Sequence, residues 1–276
     1  MGFELWYSET TKHRRNGTSF LEMKQVFTDN ISIKQIFEWL DKVAIDERPL
    51  EVKSYLVDRD FDLLGVVDYD GNMLGYVREV NLSDGELKDY LEQIDYNMLI
   101  SNTTSFPKLL EVLTKYGFAL VLNNNNIDGI VTKADINKPL FRLYLFGIVS
   151  LFEMHINFWI NKYVTENLNK FISPDRFEAA EKILGLRQHS NDQLTILECL
   201  QLSDKRDILL LTPDFLTLFG FSKRSFEKFM KTVEIIRNEV AHSQYTITKS
   251  LDWNRLVDVI RSMELFLEKA EEELIK

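Results

Sequence analysis

The sequence has one cysteine, Cys199, among 276 residues. A single thiol excludes an internal disulfide and fits a reducing compartment, so the expectation is a cytoplasmic protein. No basic start leads into an apolar run, and no secretory signal is expected. Long hydrophobic runs are also missing. The most apolar stretch, Leu140 to Ile160, is broken by Arg142, Glu153, His155 and Asn157. A bilayer span asks for ~20 predominantly apolar residues, so this stretch predicts a buried helix and no membrane contact. Positive charge is in deficit: 33 Lys and Arg against 43 Asp and Glu leave a net charge of -10. That balance argues against a protein that coats nucleic acid, though it leaves room for a local basic groove. Paired cysteines, His-Glu-x-x-His and clustered Asp/His ligands are absent, so no metal is expected. So are a Gly-x-x-x-x-Gly-Lys phosphate loop and a Gly-x-Ser-x-Gly elbow, which argues against P-loop and serine-hydrolase chemistry.

What is present suits two modest globular domains: 45% hydrophobic and 28% charged residues over this length. Residues 2–8 alternate as a strand does, and Lys12 to Gly17 is a basic turn, a solvated loop more readily than a phosphate contact. Phe20 to Phe27 and Ile33 to Val43 read as short amphipathic helices. Residues 1–46 are therefore taken as an N-terminal strand and helix extension.

An internal repeat follows. The first copy runs from Pro49 through Phe61-Asp-Leu-Leu-Gly-Val-Val, Asp70-Gly71 and Gly75-Tyr-Val-Arg78 to Asn81. The second runs from Pro107 through Phe118-Ala-Leu-Val-Leu, Asn123 to Asn126 and Gly129-Ile-Val-Thr132 to Asp135. Each reads as helix, apolar strand, tight turn, apolar strand ending at Gly-x-x, then helix. The Asp-Gly and Asn-rich turns tolerate the left-handed backbone a hairpin needs. Neither copy closes a core alone, so the two are expected to pack together.

From Ile136 onward helical periodicity takes over. Pro139 to Tyr163 reads as one long helix, apolar on nearly every side, with a single polar stripe of Glu153, Asn157 and Asn161. A charge inside so apolar a helix needs a partner or a wet cleft. Glu153 pairs with Arg237 in one reading and belongs to a solvated stripe in the other. His155 reads as a packed helix residue. Helices over Phe177–Leu186, Leu194–Leu202, Ile208–Leu211, Pro213–Phe219 and Leu251–Ile275 complete a bundle, with Glu268 to Glu273 as a solvated acidic tail. Before the last of them, Phe226, Phe229, Met230, Val233, Ile236 and Val240 form one buried stripe, with Ser222 or Ser225 at its start.

That helix carries Arg237-Asn238-Glu-Val-Ala-His242. On an ideal helix Arg237 lies ~40° from Val233, at the stripe's edge, and Arg237 and His242 stand ~140° apart, on different faces. They meet if the helix deforms, if Arg237 reaches, or if a second subunit completes the site. Asn238 and His242, four apart, are neighbours. A guanidinium that holds a phosphate, beside an imidazole that moves protons near neutral pH, is enough to cleave RNA at its own 2′-hydroxyl. A surface arginine and a dipole-favoured helix-terminal histidine are the plainer alternative.

Two resemblances organise these readings. Residues 47–135 resemble a tandem CBS pair, since Gly129-Ile-Val-Thr132-Lys133-Ala-Asp135 matches that family's Gly-h-x-Ser/Thr-x-x-Asp motif. The resemblance implies that an adenine nucleotide (AMP, ADP or ATP) acts as a regulatory ligand, its phosphate on Thr132 and its ribose hydroxyls on Asp135, with charge added by Lys133. The first copy departs from the pattern, with Arg78 and Asn81 in the Thr and Asp places. Thr132 and Asp135 also have the spacing of a helix cap, and that reading stays open. Residues 136–276, with Arg237, Asn238 and His242, resemble the HEPN family. This implies a metal-independent endoribonuclease that needs no cofactor for catalysis, forms a homodimer through its helical domain, and takes RNA as substrate, as a stress or antiphage toxin does. Arg237, His242, Asn238 and Glu153 are its candidate catalytic residues. A non-catalytic, nucleotide-sensing dimeric scaffold that docks a protein is the alternative. The expected fold is α+β: a CBS-pair-like α/β domain followed by an all-α helical bundle.

Overall fold

A computed structural model describes residues 19–29, 31–164, 168–188, 195–241, 246–247 and 251–275. The strand expected over residues 2–8, the Lys12–Gly17 turn and His242 lie outside the described residues. The fold is α+β. Two compact units are distinguished, one spanning Thr28–Lys138, the other made of the described residues up to Phe27 and from Pro139 onward.

The elements run in order as α1 (Phe20–Asp29), β1 (Glu38–Trp39), β2 (Lys42–Ala44), α2 (Pro49–Arg59), β3 (Leu63–Val67), β4 (Met73–Arg78), β5 (Leu99–Ser101), α3 (Phe106–Tyr116), β6 (Phe118–Asn123) and β7 (Asn126–Thr132). The helices are α4 (Pro139–Tyr163), α5 (Pro174–Gln188), α6 (Ile196–Cys199), α7 (Leu202–Leu210), α8 (Pro213–Phe219), α9 (Lys223–Ala241) and α10 (Trp253–Ile275).

The α/β unit holds the repeat. Pro49 and Pro107 sit in the first turns of α2 and α3, where a missing N–H costs nothing. Asp60 (φ 56°) and Gly117 (φ 85°) end these helices in the left-handed conformation. The two hairpins, β3–β4 and β6–β7, are antiparallel, and each has an irregularity at the same place, Val66/Val67 and Val121/Leu122. A short parallel strand joins each hairpin, β2 beside β3 and β5 beside β6. The copies also exchange an edge. β1, which leads into the first copy, pairs antiparallel with β7 of the second. Glu92, which leads into the second copy, bridges antiparallel to Tyr76 of the first. Backbone crossings explain the shared Gly-x-x. A Cβ on Gly75 would stand 2.4 Å from the Glu92 carbonyl, and one on Gly129 2.5 Å from the Phe37 ring.

This exchange corrects the expected boundary after residue 46. Residues 28–46 belong to the α/β unit, and Ile33–Val43 is no helix but a 3₁₀ turn (Ile33–Gln35) followed by β1 and β2. Strands of two and three residues are too short to show alternation. The helices expected after each hairpin are 3₁₀ turns, Glu79–Asn81 and Lys133–Asn137.

In the helical unit α4 packs against α7, α9 and α10. Trp159, Phe215, Phe219, Phe226 and Phe266 form edge-on and tilted ring contacts at its centre. Ser222 and Ser225 cap α9 reciprocally, each hydroxyl accepting the other residue's N–H at 3.0 and 2.9 Å. Phe226, Phe229, Met230, Val233 and Ile236 are buried as the periodicity requires, while Val240 is half-buried. His155 is fully buried. The α4 helix is long and apolar enough to cross a membrane by length and composition, and 56% of its most apolar window is buried. Its coverage is incomplete, however: Leu143 and Phe146 are exposed. The acidic tail is not all solvated either. Glu271 accepts the Phe20 N–H, and Lys24 lies 3.2 Å from Glu268, so the end of α10 anchors the N-terminal helix.

Candidate functional site

The ends of β4 and β7 open into a cleft of about 770 Å³ within the α/β unit. Its walls are segments 38–41 and 60–63, residues 78 and 80, the turn 116–118, and residues 130 and 132–135. Thr132, Lys133 and Asp135 therefore line the cleft together. The way they do so favours the helix-cap reading. Thr132 donates its N–H to Asp135 Oδ2 at 2.7 Å and its hydroxyl to the same oxygen at 3.1 Å, while Ala134 N–H donates to Thr132 Oγ1 at 3.3 Å. Lys138 Nζ lies 2.8 Å from Asp135 Oδ1. Asp135 is only 8% exposed, so its carboxylate is the local keystone of the 3₁₀ turn. The Thr132 N–H is thus not free for a phosphate, and Lys133 stays exposed at the rim.

The first copy builds its end differently. Arg78 Nε lies 3.3 Å from Glu92 Oε2, and Asn81 donates to Glu92 Oε1 at 2.9 Å. The Arg78 guanidinium sits over two ring faces, 5.6 Å from the centroid of Tyr76 and 5.3 Å from that of Phe118.

In the helical unit Glu153 takes the first of its two open readings: Arg237 Nε lies 3.4 Å from Glu153 Oε1. Arg237 also donates to Asn238 Oδ1 at 3.3 Å. Arg237 and Asn238 are exposed on α9, and Glu153 on α4 is half-buried. The structure thus joins Arg237, Asn238 and Glu153, and the position of His242 is outside the described residues. A group absent from the sequence reading stands beside them. Lys205 of α7 is 4% exposed, and burial pulls its amine below the usual lysine range, opposed by the charges of Glu153 and Glu198 and reinforced by Arg237. Its signal was legible: Leu202, Lys205 and Leu209 share one helical face, so a lysine occupies a buried-stripe position. Its neighbour Asp204 is held by Arg176 through Nε at 2.9 Å and Nη2 at 3.1 Å. No group of three or more His, Cys, Asp or Glu suited to a metal occurs among the described residues.

No family model matches this sequence, and no curated protein matches it. Solved structures are similar to part of it. A CBS domain-containing protein of unknown function from Bacillus anthracis is 18% identical with a TM-score of 0.36, over 41% of this chain and 94% of that one. A hemolysin-like protein containing a CBS domain, from Oenococcus oeni, is 14% identical with a TM-score of 0.35, over 45% and 98%. The CBS domain pair of the protein MJ0100, in complex with 5′-methylthioadenosine and S-adenosyl-L-methionine, is 16% identical with a TM-score of 0.34, over 38% and 95%.

Proposed function

We propose that this protein binds an adenine nucleotide in its α/β unit and uses the ligand to regulate a helical output domain. The cleft supports the binding half. It is ligand-sized, it is shared by both copies of the repeat, and it presents cations at two places, Arg78 and Lys133. Lys138 alone separates the 3₁₀ turn on its wall from α4 in sequence, so occupancy of the cleft has a short covalent route to the bundle. Calorimetric titration with AMP, ADP and ATP tests this half; absence of binding to all three refutes it.

For the output we propose a metal-independent, HEPN-type endoribonuclease that acts in the cytoplasm as a homodimer, in the manner of a stress or antiphage toxin. Arg237 positions the scissile phosphate, Glu153 and Asn238 hold the guanidinium, and His242 moves the proton of the 2′-hydroxyl. The Arg237–Glu153 pair supports this reading, because it orients the guanidinium before substrate arrives. The test is cleavage of mixed single-stranded RNA in EDTA, with and without adenine nucleotides. Arg237→Ala and His242→Ala are each expected to lose about a hundredfold or more. Arg237→Ala should cost no more than about 1 kcal/mol of stability, since Arg237 is exposed although Glu153 is half-buried. If the unaltered chain cuts neither with nor without nucleotide, the ribonuclease reading is lost. A docking scaffold is the second reading. It is favoured by the neutralisation of Arg237 by Glu153 and by the net charge of -10, both better suited to a protein partner than to RNA.

A further inference from the structure

The departure of the first copy from the second gives the cleft a second kind of chemistry. Arg78 and Thr132 are equivalent positions. Each is the last residue of its hairpin and pairs with the first residue of the partner strand, Leu63 with Arg78 and Phe118 with Thr132. In the second copy that place is closed on itself, because Thr132 and Asp135 satisfy one another. In the first copy it holds a guanidinium that both copies restrain, Tyr76 from the first and Phe118 from the second. Glu92 is fixed in turn by Asn81, so it steadies Arg78 from one side. A guanidinium has five N–H donors, and the Tyr76 hydroxyl and the Glu92 carboxylate do not occupy them all: the Arg78 Nε is buried without a hydrogen bond.

The other charges of the cleft limit what such an anchor can accept. Asp41 is held by the Tyr55 hydroxyl at 2.7 Å and lies 4.0 Å from Arg59. Glu38 and Asp135 share Lys138. Asp60 and Asp62 line the same cleft and add negative charge. An anion is therefore attracted at Arg78, with Lys133 at the rim, and each further negative charge meets carboxylates.

We propose that Arg78 is the phosphate anchor of the cleft, and that the acidic lining around it restricts the ligand to a nucleoside carrying a single phosphate. This deepens the nucleotide reading given above and rests on it. Charge-assisted hydrogen bonds from a restrained guanidinium are worth about tenfold or more in affinity.

The test is calorimetric titration of the full chain with adenosine, AMP and ATP in EDTA, so that ATP carries its full charge. AMP is expected to bind about tenfold tighter than adenosine and also tighter than ATP. Arg78→Met, whose folding is checked by its thermal melt, is expected to erase the gap between AMP and adenosine while leaving adenosine affinity within about twofold. Should that variant fail to fold, the unaltered chain still decides, because the gap must shrink as salt screens the charge. Equal affinity for adenosine and AMP, a gap that survives Arg78→Met or ignores salt, or ATP binding tighter than AMP overturns the proposal and leaves nucleotide binding intact. Binding of none of the three overturns both.

Discussion

The two copies of the repeat share a scaffold and differ at its tip. Both place a hairpin behind a Pro-initiated helix, both flank it with a short parallel strand, and both carry a glycine where the other copy's chain crosses. At the end of the second hairpin Thr132 and Asp135 satisfy each other, and Lys138 completes the set. At the end of the first, Arg78 and Asn81 converge on Glu92, a residue that enters from the other copy's leading segment. One tip is locally self-sufficient; the other depends on a distant part of the chain. The same backbone can thus serve as a sealed structural joint or as an anchor for charge, according to which four residues end it.

Three measurements would break or sharpen that comparison. The crossings should show the largest effect. Gly75→Ala drives a Cβ onto the backbone carbonyl of Glu92, which cannot swing aside, and should cost about 3 kcal/mol in urea unfolding. Gly129→Ala meets the side chain of Phe37, which can shift, and should cost about 1 kcal/mol. Equal costs would mean that the two crossings are equally constrained and that the Phe37 ring is no freer to move than the Glu92 carbonyl.

The tips come next. Asp135→Ala removes a cap from a nearly buried site and takes one of the two carboxylates from Lys138, for an expected loss of about 2 kcal/mol. Asn81→Ala, at an exposed position, should cost about 0.5 kcal/mol. A reversal of that order would remove the distinction between sealed and open ends.

The smallest effect concerns acid. In the second copy the Tyr116 hydroxyl donates to Asp95 at 2.5 Å, as Tyr55 donates to Asp41 in the first at 2.7 Å. The Tyr116 bond, with the N–H groups of Asn97, lowers the Asp95 carboxyl from 3.8 to about 2. A carboxyl whose folded pKa is depressed contributes stability above its unfolded value and loses it as pH falls through the folded one. Stability from Asp95 is therefore complete above about pH 4 and fades toward pH 2. Tyr116→Phe should flatten the stability curve across that window, and a curve unchanged between pH 4 and 2 would rule out this role for the bond.

The sequence made the repeat visible because both hairpins and both glycines stand in register, and it made the bundle visible through its apolar period. The Arg237–Glu153 pair was only one of two readings open for Glu153, since a charge inside an apolar helix needs either a partner or a wet cleft. Strands β1 and β2 were not legible, because two or three residues carry no period and derive their order from a partner strand. Lys205 stands at an apolar-stripe position of α7, but the depth of its burial is decided by α4, α8 and α9, which pack against that helix.

Local order was therefore written in the chain itself: where helices begin, where hairpins turn, which residues are apolar, and that two segments are built alike. Those properties depend on neighbours a few residues apart. The exchange of edges between the copies and the seating of Arg78 across both were decided only in three dimensions. Each joins groups remote in sequence, and no local period encodes which distant backbone will complete a sheet or neutralise a charge.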